Sequence, residues 1–170
     1  DGCTLVTGGQ DATCRVWVIG DESMASALET ESAYISADIS GGSSEMRCCH
    51  VLWGHETPVI SLYLNTDLDL LVSGSTNGTI VLHRVRKGRY VRRISYPKHK
   101  TPSMLCISVS GDIVAHSWDD RTINTFSLNG FHLASEVCSQ YYMAMGISHD
   151  GEMVVAGGDE VRLIFFSSFC

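Results

Sequence analysis

The stretch DGCTLVTGGQD at residues 1–11 returns as DGEMVVAGGDE at 150–160, each a turn, an apolar run, a Gly-Gly pair and an acidic position. A second echo sets His55-Glu56-Thr57-Pro58 ahead of VISLYL and His99-Lys100-Thr101-Pro102 ahead of SMLCISV. Internal copies constrain a fold more than any single motif does, because each copy is one small unit that can bury its faces only against the next. A ring closes one strand of each unit: Trp17 in TCRVW, His83 in TIVLH, Phe126 in TINTF and Phe165 in VRLIF. These rings stand 66, 43 and 39 residues apart, and the long first interval holds a polar insert at 20–45. Between turns the runs are short and apolar, which reads as strands. The chain enters this pattern midway. Asp1-Gly2 reads as a turn, Leu5 to Gly8 as one strand and Thr13 to Val18 as its partner, and without an initiator Met the N-terminus reads as a cut.

Repeats of roughly 40 to 45 residues, each of four short strands, are the mark of a WD-repeat β-propeller. In that family a His before the first strand, a Ser or Thr in the second, an Asp in the following turn and a Trp in the third form a hydrogen-bonded chain, which satisfies polar groups that blade packing would otherwise bury unpaired. The resemblance assigns Thr7, Asp11 and Trp17 to this structural role in the first blade, and His55, Ser73, Asn77 and His83 in the second. His99, Asp120 and Phe126 follow in the third. Trp118-Asp119 spells the family dipeptide but falls between two strands rather than closing one. The expected fold is therefore all-β: a partial WD-repeat propeller of about three and a half four-stranded antiparallel blades. Residues 1–19 read as the second half of one blade, 20–47 as an acidic, Ser-rich flexible insert, and 48–170 as three further blades of an incomplete ring. Both ends of such an arc expose apolar surface and invite association.

The stretch from Val51 to Ile94 resembles the C-terminal WD-repeat region of BEACH-domain proteins of the neurobeachin type, and TLVTGGQDATCRVW resembles the blade before it. In those proteins too a His replaces the third-strand Trp in that blade and a basic stretch follows, as His83 precedes Val85-Arg86-Lys87-Gly88-Arg89-Tyr90 here. FSLNGFHLAS at 126–135 resembles their next blade, and FFSSFC ends where the family continues into another. The resemblance implies a large cytoplasmic scaffold, peripheral on endomembranes, that acts in vesicle trafficking and membrane protein sorting. Its propeller would dock other proteins and the BEACH domain of the same parent chain. A WD-repeat adaptor subunit of a regulatory enzyme complex, such as a ubiquitin ligase, is the alternative.

Charge is unevenly placed. Twelve Lys and Arg face nineteen Asp and Glu, yet residues 84–100 hold eight of the bases and no acid. Arg84, Arg86, Lys87, Arg89, Arg92 and Arg93 are the candidate contact surface, for an acidic protein or an anionic membrane; the same charges also serve to guard an edge strand against sheet addition. This stretch reads as a third strand, a turn and the outer strand of the next blade. Residues 20–45 carry six acids, seven serines and no Lys or Arg, and Ser26, three residues before Glu29, is the candidate phosphosite.

Seven cysteines without a C-x-x-C pair fit neither a disulfide framework nor a common zinc framework and point to a reducing setting. Cys48-Cys49-His50 are consecutive in a strand, so their side chains alternate between faces and do not converge on an ion. Asn77-Gly78-Thr79 reads first as a hairpin turn. No P-loop, G-x-S-x-G, H-E-x-x-H or G-x-G-x-x-G is present, and no run approaches the roughly 18 apolar residues of a membrane helix. No catalytic residue, cofactor, metal or nucleic-acid partner is expected.

Overall fold

The computed structural model describes residues 3–19, 35–37, 46–96, 100–158 and 161–165, and every regular element among them is a strand. They form four antiparallel sheets. The first joins β1 (Thr4–Gly8), β2 (Cys14–Ile19), β3 (Ile35–Ala37) and β4 (Met46–Leu52) in the order β1-β2-β4-β3. The second is a simple meander of β5 (Val59–Asn65), β6 (Leu70–Ser75), β7 (Thr79–Arg84) and β8 (Arg89–Ser95). The third repeats it with β9 (Pro102–Ile107), β10 (Ile113–Ser117), β11 (Thr122–Phe126) and β12 (His132–Val137). The fourth holds β13 (Tyr142–Ile147), β14 (Met153–Gly158) and β15 (Val161–Phe165). β1, β5, β9 and β13 lie beside one another in that order, so successive sheets stand as neighbouring blades of a partial propeller.

Burial follows from this stacking. β6 and β7 lie between two neighbouring sheets and are buried on both faces, whereas β8 on the outer edge is exposed at all but Ile94. One apolar core, with Cys14, Val16, Leu52 and Leu71, fills the space between the first two sheets. A second, with Val72, Leu82, Ile107 and Phe126, lies between the second and third, and a third, with Val114, Ile123, Tyr142 and Val154, between the third and fourth. Contact between sheets is close enough to require glycine. A Cβ at Gly8 would stand 2.7 Å from Val59 Cγ1, and one at Gly74 would stand 2.8 Å from Pro102 Cγ.

The first echo joins structural equivalents, since β1 and β14 each open a hairpin with the strand that follows. Trp17, His83, Phe126 and Phe165 fall in β2, β7, β11 and β15. Two readings are corrected. Arg89–Ser95 pairs with β7, so the basic stretch ends in the outer strand of its own sheet and not of the next blade. β4 pairs with β2, so residues 48–52 complete the first sheet instead of opening another, and β3, within the insert, adds to its edge. The first follows from meander topology, since the shortest route after β7 is a tight turn back along the same sheet; in the first sheet the chain returns to β2 only after the insert.

Candidate functional site

The residues assigned to hydrogen-bonded chains come together only in part. In the first sheet Trp17 Nε1 donates to Thr7 Oγ1 at 2.9 Å, across the β1–β2 pair. Asp11 does not join them; its carboxylate takes the Thr13 N–H and hydroxyl and pairs with Arg15 at 3.1 Å. In the second sheet Ser73 donates to the Val81 carbonyl, so its oxygen accepts from His55 Nε2, 2.8 Å away. His83 stands apart from this pair and donates from Nε2 to the Trp53 carbonyl at 2.9 Å. Asn77 accepts from Ser75 across the β6–β7 turn. His55 Nδ1 and His83 Nδ1 are buried without a partner among the described residues.

These imidazoles are held neutral. Burial, then the neighbouring His83 and Arg93, pulls His55 down to about 4, and burial lowers His83. His116, fully buried in β10, is also brought down to about 4 by burial, with Asp120 opposing. The sequence reading missed His116, which packs edge-on against Tyr142 of the next sheet.

The third sheet is tied by residues outside the assigned set. Asn124 Nδ2 donates to Tyr96 Oη and to Thr122 Oγ1, and its Oδ1 accepts from His132 Nε2. Tyr96 Oη in turn donates to the Ala115 carbonyl. Tyr96 follows the outer strand of the second sheet, so this network stitches two blades. Asp120 enters it through Thr122 Oγ1 at 2.7 Å, while Phe126 belongs to the apolar core. Trp118-Asp119 sits in the β10–β11 turn as a link of its own: Trp118 Nε1 donates to the Tyr142 carbonyl, and Asp119 accepts the Thr101 N–H. A Tyr or Asn that satisfies a neighbouring blade has no fixed spacing, so only the residue types could have suggested these partners.

The basic set is split by the alternation of β8. Arg92, opposite Leu82, lies on the face turned to the third sheet and donates to the Asn129 carbonyl. Arg93, opposite Val81, lies on the other face and pairs with Glu56 at 3.0 Å. Arg84 and Arg89 are cross-strand partners, and Arg84 reaches the Leu68 carbonyl. Arg86 and Lys87 occupy the β7–β8 turn. That turn presses on the first sheet, where His50 Nε2 donates to the Arg86 carbonyl and a Cβ at Gly88 would stand 2.5 Å from the imidazole. Gly88 also has φ +59, a second reason for glycine there.

Alternation fails at Cys48-Cys49-His50, because β4 bulges where Val16 opposes His50 and Trp17 opposes Cys48. All three side chains are buried, with His50 engaged by Arg86 and the thiols on backbone carbonyls. Among the described residues no three His, Cys, Asp or Glu side chains are placed to share an ion. Their six cysteines are free thiols, and burial pushes Cys14 up to about 11 and Cys106 up to about 12. Ser26, His99 and residues 20–34, 38–45 and 166–170 lie outside the described residues.

Residues 1–169 match the family model described as the neurobeachin beta propeller domain. The BEACH domain-containing protein B of Arabidopsis thaliana is 34% identical over 166 residues, which is 96% of this chain and 6% of that protein. A putative neurobeachin homolog of Caenorhabditis briggsae is 23% identical over 167 residues, 98% of this chain and 6% of the relative. The Caenorhabditis elegans counterpart is 22% identical over 169 residues, with the same coverage of 98% and 6%. The chain thus spans about 6% of the length of the curated relatives it matches.

Proposed function

We propose, from the premise that this chain belongs to the neurobeachin β-propeller family, that it is a non-catalytic docking platform of a BEACH-type scaffold in vesicle trafficking and membrane protein sorting. The observation that carries the reading is the use made of its polar side chains. His55, Ser73, His83, Tyr96, Asn124 and His132 are committed to one another and to backbone carbonyls. Side chains that would otherwise serve chemistry instead hold the blades in position, leaving turns and outer strands as the presented surface. Placement on the cytoplasmic side of endomembranes, with the BEACH domain of the parent chain as one neighbour, is part of the same proposal.

The test is proximity labelling by the full-length protein, compared with one in which residues 1–169 are replaced by an unrelated propeller. A docking role expects a defined group of proteins to be lost at equal protein abundance, together with missorting of a membrane cargo. An unchanged set of neighbours and normal sorting would overturn it.

A further inference from the structure

The outer strands of the first two sheets are placed alike. β4 receives the β7–β8 turn on one face, through the His50 bond to the Arg86 carbonyl, and β8 receives the β11–β12 turn through the Arg92 bond to the Asn129 carbonyl. Yet β4 carries a further strand on its edge, β3, paired from Ile35 with Cys48 to Ala37 with Met46. β8, equally long at seven residues, ends its sheet with no strand beside it among the described residues.

Charge says what that edge accepts. Arg84 and Arg89 stand directly opposite each other, an arrangement that costs stability, and Arg92 shares their face of the sheet. Arg84 and Arg92 bond neutral carbonyls, and none of the three has an ion-pair partner among the described residues. Arg93, on the opposite face, is neutralised by Glu56. Between the arginines the strand exposes Tyr90 at 53% and Val91 at 44%. The outer strand of the third sheet, HLASEV, carries a Glu and no Lys or Arg, so β12 does not share the cationic edge of β8.

We infer that β8 takes up an extended acidic peptide by strand addition, as β4 takes up β3. Backbone hydrogen bonds along the open edge supply affinity, and carboxylates at alternate positions of the peptide meet Arg89 and Arg92. Apolar residues between them lie toward Tyr90. The same arginines turn away a second copy of this edge, whose charge is alike, so protection from self-association and selection of an acidic strand come from one feature.

A fluorescein-labelled octapeptide alternating Glu and Val, titrated by anisotropy onto the full-length protein, tests this. Three controls accompany it: the same peptide N-methylated at alternate amides, a Lys/Val counterpart, and phosphatidylserine vesicles. The Glu/Val peptide binds, and R89E/R92E weakens it by roughly tenfold or more while gaining affinity for the Lys/Val peptide. R89K/R92K, which keeps the charge, stays within about threefold of wild type, and the N-methylated peptide does not bind because it cannot pair with the edge. Equal binding of the N-methylated peptide, or affinity unchanged in R89E/R92E, overturns strand addition. So does a protein that ignores the peptide and binds the vesicles through Arg89 and Arg92. The inference rests on the docking reading, but the two fail apart: partners retained in proximity labelling without peptide binding would sink only the strand addition.

Discussion

At the scale of single residues, three buried imidazoles make stability depend on pH in one direction. His55 and His116 take a proton in the folded protein only at about 4, and in the unfolded chain near the ordinary 6.5; His83 is displaced the same way. Between those values the unfolded state binds more protons, so stability is full above about pH 6.5 and falls toward pH 4, by about 1.4 kcal/mol per pH unit for each imidazole titrating fully. Asp11, Asp119 and Asp150 are lowered from 3.8 by hydrogen bonds and act only below this window. Melting temperatures between pH 7 and 4.5 should therefore drop steadily, and H116L should flatten the slope, since Ser103 Oγ keeps its bond to the residue-116 carbonyl. A Tm independent of pH would refute the account. Ser73→Ala is expected to cost about 1–3 kcal/mol, because it leaves the partly buried His55 Nε2 without its acceptor. The sequence named His55, Ser73 and Trp17 because their spacing is set by the repeat. It did not give the partner of His83 or the role of His116, since a buried ring takes whichever carbonyl or hydroxyl the next blade brings within reach.

At the scale of elements, the same four-residue pattern recurs as Leu5-Val6-Thr7-Gly8, Leu71-Val72-Ser73-Gly74 and Val154-Val155-Ala156-Gly157. Gly8 and Gly74 meet the first strand of the following sheet, while a Cβ at Gly157 would meet nothing within 4 Å. Gly74→Ala should therefore destabilise by about 1–3 kcal/mol through overpacking against Pro102. Gly157→Ala in this 170-residue chain should be neutral or slightly stabilising, since it only narrows the unfolded ensemble. Denaturant melts of the two variants decide this, and equal losses would contradict the close approach at Gly74. The repeat made the paired strands legible because Gly-Gly and Asn-Gly turns mark them directly. The outer strand β8 was misplaced for a physical reason: its exposed, charged faces carry no core pattern, so RYVRRIS does not declare its partner. The bulge at Cys49 was equally hidden, because it arises from how β4 meets β2 and not from any turn residue.

At the scale of the whole molecule, successive sheets always join the same two faces. Leu71 packs toward the sheet before it and Val72 toward the sheet after it, and both are fully buried. Their equivalents at the two ends of the array, Leu5 at 42% and Val155 at 43%, are exposed. The contact that joins blades is heterologous, and so copies of this chain should associate head to tail, the Val155 face of one on the Leu5 face of the next, growing with concentration. Sedimentation velocity of the 170-residue chain should show this growth, and L5E or V155E alone should stop it, because each removes one half of the contact. Mixing the two variants then supplies the sharper test. L5E retains the Val155 face and V155E retains the Leu5 face, so the mixture should form dimers and nothing larger. A face that paired with itself would leave one variant still associating alone, and a chain monomeric at every concentration would show that apolar exposure at the ends is too small to drive assembly.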